Sequence, residues 1–321
     1  SVKLLREEVI ALMELYRYNH FAISSLKPET TNQLVALESR LNQFISQVGG
    51  VAFVKSGKRS CIDSVTKVEN RNTRRVWEEF VEEAAADLEA GRAHQNLICD
   101  ATLETWLQNV YRNLAVTSGF EVLQQMSQSM FACDSLNHPP GPHLYLREWI
   151  EIDPCLQFRV FVSELSITGI TQRYSLYSPW LVEHRKDVEK RLLDFVTTRI
   201  LPHIAPLESF CVDLLVRPQR LDNSGNKSYH YTSYKRAYQT GQEPNFSILL
   251  VQLLPFYARS ANGFFEWSLD KNILTHGPYE FRYKAHPITE EPGMQVKYLV
   301  AQPLVPRFWL NFAHTAAKRH R

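Results

Sequence analysis

Three segments of this sequence place polar side chains where chemistry would use them. The first is FVKSGKRSCID, Phe53 to Asp63, in which an apolar strand delivers Lys55 to a short polar turn holding Lys58, Arg59, Ser60 and Asp63. A lysine at a strand end neutralises phosphate charge, and an arginine grips phosphate oxygens through a bidentate fork. The same composition also suits a solvated surface turn. The second is LYLREWIEIDPCLQFRVFV, Leu144 to Val162, two apolar strands about a turn at Asp153 and Pro154. Arg147 and Arg159 stand in apolar surroundings there, where an unpaired guanidinium is costly. Two kinds of partner fit them: an internal carboxylate such as Glu148 or Asp213, or a bound polyphosphate. The third is SFCVDLLV, Ser209 to Val216, followed later by SILLVQLLPFYARSANGFFEW, Ser247 to Trp267. Asp213 interrupts an apolar strand, as a carboxylate does that shares Mg²⁺ with phosphate oxygens. Pairing with a nearby arginine is the equal alternative.

Other chemistry is excluded or open. The eleven histidines show no HxxxH or HExxH spacing, so a zinc enzyme is not expected. No GxSxG elbow and no GxxxxGK[ST] loop occurs. Cys61 sits beside Lys58 and Arg59, a setting that lowers a thiol pKa, although a small filler would serve equally there.

The elements that must position these groups are legible from periodicity. Residues 2–20 predict an amphipathic helix, with Val2, Leu5, Val9, Leu12 and Leu15 near one face, and residues 31–47 repeat the pattern. Val51 to Ser56 predicts a buried strand after Gly49 and Gly50. Residues 73–90 predict a helix capped by Thr73 and followed by Gly91, and residues 101–129 a further helix. HPPGPH, His138 to His143, is a firm break. Strands are then expected at Leu144 to Ile150, Phe158 to Leu165, Ser166 to Tyr174, Phe210 to Arg217 and Phe246 to Leu253, with a helix over 182–200 ended by Pro202. A long Tyr-rich connection, 218–245, joins the last two strands, and a connection of that length is usually functional or mobile. This order implies α+β (or α/β) lobes.

Composition bounds the rest. The chain has 321 residues, 44% hydrophobic and 22% charged, ample for one large domain or two intimate lobes. A net charge of +2, from 36 basic and 34 acidic residues, is no footprint of a dedicated nucleic-acid binder, and no DNA partner is expected. Basic clusters at Arg71 to Arg75 and Lys318 to Arg321 read as a solvated helix start and a chain end. Five widely spaced cysteines, Cys61, Cys99, Cys133, Cys155 and Cys211, form no CxxC pair and point to a reducing, intracellular compartment. No apolar run reaches the roughly 18 residues of a membrane helix. The expected location is cytoplasmic, or mitochondrial if a targeting segment preceded Ser1.

Taken in order, the three segments resemble the ATP-grasp branch that holds the cell division cycle protein 123 family. The matching positions are Lys55 with Arg59, Ser60 and Asp63; Leu146, Arg147 and Trp149; Phe158, Arg159, Phe161 and Val162; Thr171 and Gln172; and Asp213, Pro255, Phe256, Phe265 and Trp267. They span roughly residues 50–285. The resemblance implies a two-lobe ATP-grasp-like fold with extra N-terminal helices: a helical segment 1–48, a first lobe 49–143 with a helical insertion, a second lobe 144–285 with the connection 218–245, and an extension 286–321. It further implies ATP as cofactor, held by Lys55, Arg59, Ser60, Leu146, Arg147, Arg159 and Gln172, with Mg²⁺ on Asp213 and Gln252 at a weakened ligand position.

The departures from the family pattern matter. Cys61 and Ile62 stand where the family has Pro and Lys, and Gln157 where it has Glu. Gln252 replaces a metal-binding Glu or Asp, and Leu254 replaces Asn. Gln is a weaker ligand for a hard cation than a carboxylate, and Leu is none. Glu266 is near in sequence and could compensate. The expectation is therefore a degenerate, non-catalytic ATP-grasp-like protein that acts as an assembly factor or structural subunit of a translation-related or ribonucleoprotein complex. Tyr229, Tyr231, Tyr234 and Tyr238, alternating with Lys227, Lys235 and Arg236, suit a protein or RNA interface. The alternative is an active ATP-dependent carboxylate–amine ligase or phosphotransferase.

Overall fold

The computed structural model describes residues 1–21, 23–57, 59–65, 104, 107–136, 142–204, 207–218, 246–261 and 263–286. Several expectations lie outside these residues: the helix over 73–90, most of the HPPGPH break, Lys58, Cys99, all but the first residue of the connection 218–245, its tyrosines included, and all but the first residue of the extension 286–321. The chain divides into two units, Ser1–Glu78 with Gln108–Glu151, and Glu79–Leu107 with Ile152–Arg321. Each unit joins one sheet to helices, so the fold class is α+β. Among the described residues, no helix is long and apolar enough to cross a membrane.

In the first unit the sheet runs β1 (Val2–Lys3), β5 (His143–Glu148), β2 (Ala52–Ser56), β3 (Arg59–Ser60), with β4 (Ala115–Val116) also pairing β2. The alternation of β2 buries Ala52, Val54 and Ser56 and leaves Phe53 and Lys55 half-buried on the opposite face. The helix Pro28–Gln47 buries Leu34, Leu37, Leu41 and Ile45, the i, i+3, i+4 stripe of a core-facing helix. Each such leucine taken from water contributes about 1.5–3 kcal/mol. The helix Gly119–Gln128 comes so close to it that a Cβ on Gly119 would stand 2.3 Å from the Glu38 carbonyl oxygen, and Gly119 N–H donates to Asn42 Oδ1 at 2.7 Å.

Two sequence expectations change here. The first helix begins at Arg6, not at residue 2, because Val2 and Lys3 pair with Leu144 and His143 as β1. The Glu8 carboxylate accepts from Leu5 N–H at 2.7 Å and so caps the helix start. The helix expected over 101–129 ends at 112, and Ala115–Val116 become a strand. Ser118 then starts a new helix by accepting from Glu121 N–H at 3.3 Å, while Glu121 accepts from Thr117 N–H at 2.5 Å. Ser118 to Glu121 is an S-x-x-E capping signal that the helical periodicity hid.

The second unit is a sheet in the order β10 (Glu280–Arg282), β7 (Ser166–Gln172), β6 (Gln157–Ser163), β8 (Phe210–Pro218), β9 (Phe246–Pro255). The β10–β7 pair is parallel and the others are antiparallel. All seven residues of β6 are buried, as befits the central strand. The helix expected over 182–200 starts earlier, at Pro179, with Ser178 as its cap, and is followed by a π-helical turn, Val196–Ile200. The helix Trp267–His276 and the strand β10 were not expected from periodicity.

Candidate functional site

The first unit brings Lys55, Ser60 and Arg147 into one sheet. Across β2 and β5, Phe53 pairs with Arg147 and Lys55 with Tyr145, so these four side chains share a face. Leu146 pairs with Val54 on the other face. Ser60 pairs with Lys55 and Arg59 with Ser56, although the Arg59 side chain lies outside what is described. Burial of Lys55, then the charge of Arg147, lowers its pKa. An anion on this face would relieve that pressure, so Lys55 and Arg147 fit a phosphate group.

Asp63 and Cys61 are tied into the same unit's interior. The Asp63 carboxylate accepts from Ser129 Oγ and, at 3.2 Å, from Phe131 N–H, which orders the start of the helix Met130–Ser135. Cys61 is fully buried against Met126, its Sγ 3.6 Å from Met126 Sδ. Burial, followed by the nearby Asp63 and Cys133, raises its thiol pKa. It is a filler and no activated nucleophile.

The second unit assembles a polar row across all five strands. Register places Arg282, Thr171, Arg159, Asp213 and Gln252 side by side on β10, β7, β6, β8 and β9. Arg159 Nε donates to Asp213 Oδ1 at 2.6 Å and Nη2 to Oδ2 at 2.7 Å. Its Nη1 donates to the Ser260 carbonyl at 2.7 Å. Arg173 Nη1 and Gln252 Nε2 also donate to Asp213 Oδ2, at 2.5 and 2.7 Å. Burial alone would raise the Asp213 carboxyl; the charge of Arg173 and the bonds from Arg159 and Gln252 outweigh it and hold the pKa below the usual value. The carboxylate that pairs with Arg159 is that of Asp213.

The segment after β9 is strapped over this row. Thr171 Oγ1 accepts from Phe264 N–H at 3.0 Å, and Arg282 Nη1 donates to the Phe264 carbonyl at 2.9 Å. Gly263, at φ +68°, makes the closest approach: a Cβ there would stand 2.1 Å from the Gln172 carbonyl oxygen. Gln172 itself donates to the carbonyls of Cys155 and Leu176, at 2.7 and 2.9 Å, and accepts from Lys284 N–H at 2.9 Å. Leu254 packs with Phe256 and Trp267 against Phe161, Cys211, Phe265 and Leu274. An apolar cluster thus occupies the position where the family pattern has Asn.

These donors do not fit Mg²⁺ on Asp213. An ionised carboxylate has about four acceptor sites, and four N–H donors are already aimed at this one. Gln252 presents its amide N–H toward Asp213, and Glu266 Oε1 accepts from Ser268 Oγ at 2.7 Å. Arg173 was not named from the sequence; its place one residue beyond β7 was the available signal. Among the described residues, Glu104, Asp153 and Cys155 also bring ligand atoms within 4.8 Å of one another. Asp153 Oδ1 there accepts from Cys155 N–H at 2.9 Å, an ordinary turn cap.

A model of the D123 family matches residues 107–299, more than half of the chain. The chain belongs to the D123 family. The D123 relatives include the translation initiation factor eIF2 assembly protein of Vanderwaltozyma polyspora, 40% identical over 76 residues, which are 23% of this chain and 20% of that protein. Cell division cycle protein 123 of Candida glabrata is 37% identical over 78 residues, 24% of this chain and 21% of that protein. The matched stretch is therefore about a fifth of each of these relatives. In three dimensions the D123 chain resembles Cdc123 from Schizosaccharomyces pombe, with a TM-score of 0.50 at 16% identity, covering 88% of this chain and 99% of that one. That likeness is one of fold. The family expected from the ordered motifs is the family found.

Proposed function

We propose that this D123 protein is an assembly factor that binds a protein partner during construction of a translation initiation complex. The observation that carries the reading is its membership of a family whose relatives are named eIF2 assembly proteins. The partner chemistry agrees: a net charge of +2 favours a protein over a nucleic acid. The Asp213 cluster supports a non-catalytic role, because its carboxylate is engaged by protein donors. The reading implies action in the cytoplasm.

The test is co-elution of the full chain with separately purified eIF2 subunits in size-exclusion chromatography. A stable complex with one subunit is expected. Failure to associate with any subunit, alone or combined, overturns the reading.

A second reading, nucleotide binding on an ATP-grasp-like scaffold with ligase or phosphotransferase activity, is favoured by Lys55 and Arg147 sharing one sheet face. ATP, when bound, would supply an activated phosphoryl group; Lys55 and Arg147 would orient its phosphates and neutralise their charge. Calorimetric titration of ATP into wild type and Lys55→Met tests it. Heat lost in the variant supports the reading, and no heat in wild type removes it.

A further inference from the structure

We infer that Asp213 is closed to divalent cations in this chain, the Arg173 guanidinium and the Gln252 amide occupying the carboxylate side that a metal ion would need. The inference goes beyond the assembly reading and does not depend on the partner.

It begins with strand register. The pairing of β8 with β9 shifts between Asp213 and Leu214: Asp213 pairs with Gln252, and Leu214 with Leu250. Such a bulge re-aims side chains, and here Gln252 lies directly opposite Asp213. Gln252 Nε2 reaches Asp213 Oδ2 at 2.7 Å. With the amide turned over, its oxygen would face the carboxylate, two acceptors with no proton between them. The hydrogen-bond network therefore fixes the amide with its donor inward.

Charge closes the site further. Mg²⁺ binds oxygens at about 2.0–2.1 Å in near-octahedral geometry and keeps several waters. Asp213 is 2% exposed and Arg159 4%. Their neighbour Arg173 approaches Asp213 Oδ2 to 2.5 Å. An ion on Asp213 would have to displace N–H donors from Oδ2 or settle beside two guanidiniums. Leu254, packed into its apolar cluster, supplies no further oxygen. A guanidinium thus does the charge compensation that a metal would do, and one residue decides it: a carboxylate at 252 would remove a donor and add two acceptor oxygens.

The probe is Mn²⁺, followed by the electron paramagnetic resonance signal of the free ion in the presence of the full chain. Wild type, Gln252→Glu and Asp213→Asn are compared. The expected result is no Mn²⁺ uptake by wild type and a gain of about tenfold or more in affinity in Gln252→Glu. Wild-type uptake that Asp213→Asn leaves unaltered lies elsewhere and also supports the inference. Wild-type uptake that is lost in Asp213→Asn overturns it. If Asp213→Asn does not fold, the number of ions decides: wild-type uptake that tightens in Gln252→Glu with no added ion locates the ion at the cluster and overturns the inference, and an added ion in Gln252→Glu supports it.

Discussion

Arg159 and Asp213 face each other across β6 and β8 and meet fork to fork, Nε to Oδ1 at 2.6 Å and Nη2 to Oδ2 at 2.7 Å. Taking both charges out of water is expensive, and geometry this close offsets the cost only when the remaining acceptors and donors are also satisfied. Arg173, Gln252 and the Ser260 carbonyl complete that set. The pair also links the centre of the sheet to the strap that follows β9, since Ser260 belongs to that strap.

Asp213→Asn leaves two guanidiniums facing an amide that accepts less and carries no charge. A loss of about 3–5 kcal/mol is expected in urea or guanidinium unfolding. The pH dependence has a definite sign. The Asp213 pKa is lowered in the folded chain, so its contribution is present above the unfolded value of about 3.9 and is lost as pH falls through the lower folded value. The gap between wild type and Asp213→Asn should therefore narrow as pH drops below about 4. A gap that stays constant to strongly acidic pH would contradict the ionic role.

Gly263→Ala should cost more than Gly49→Ala. Both glycines have positive φ, +68° and +99°, so each substitution bears backbone strain of about 1–2 kcal/mol. Only Gly263 adds a collision, 2.1 Å from the Gln172 carbonyl oxygen, whereas Gly49 opens onto space. Thermal melting of the two variants ranks them, and equal shifts would show that the strap yields easily.

The motifs made the second sheet legible, and its site only in part: an internal carboxylate such as Asp213 is one of the two partners the sequence leaves open for Arg159. Arg159 and Asp213 stood out as charges inside apolar strands, and both strands formed near the expected bounds. Their pairing depends on register, which alternation alone does not reveal. Arg173 escaped notice because it follows a strand and interrupts no pattern. Strands of two or three residues, β1, β4 and β10, are too short to show a period. The break at 113–118 was written in Ser118 and Glu121, but the apolar spacing on either side continues the helical rhythm.

Lys55 should titrate below the ordinary lysine value. Burial is the first cause and Arg147 the second, so Arg147→Gln should move the Lys55 pKa only part of the way back. Carbon-13 NMR of reductively methylated lysines follows it. No movement in the variant would place Arg147 out of electrostatic reach.

The buried thiols should resist alkylation in the native state. Burial pushes Cys133 and Cys211 up to about 12 and raises Cys61 as well. At pH 8, mass spectrometry should find these three unlabelled by iodoacetamide until denaturant is added. Rapid native labelling of Cys61 would restore it as a reactive group.

The most direct measurement is the yield of eIF2 complex formed from its separated, purified subunits with and without the full chain. An assembly factor raises the rate or the yield, and Mn²⁺ or EDTA should leave that effect unchanged. Assembly that proceeds identically without the chain would contradict the account.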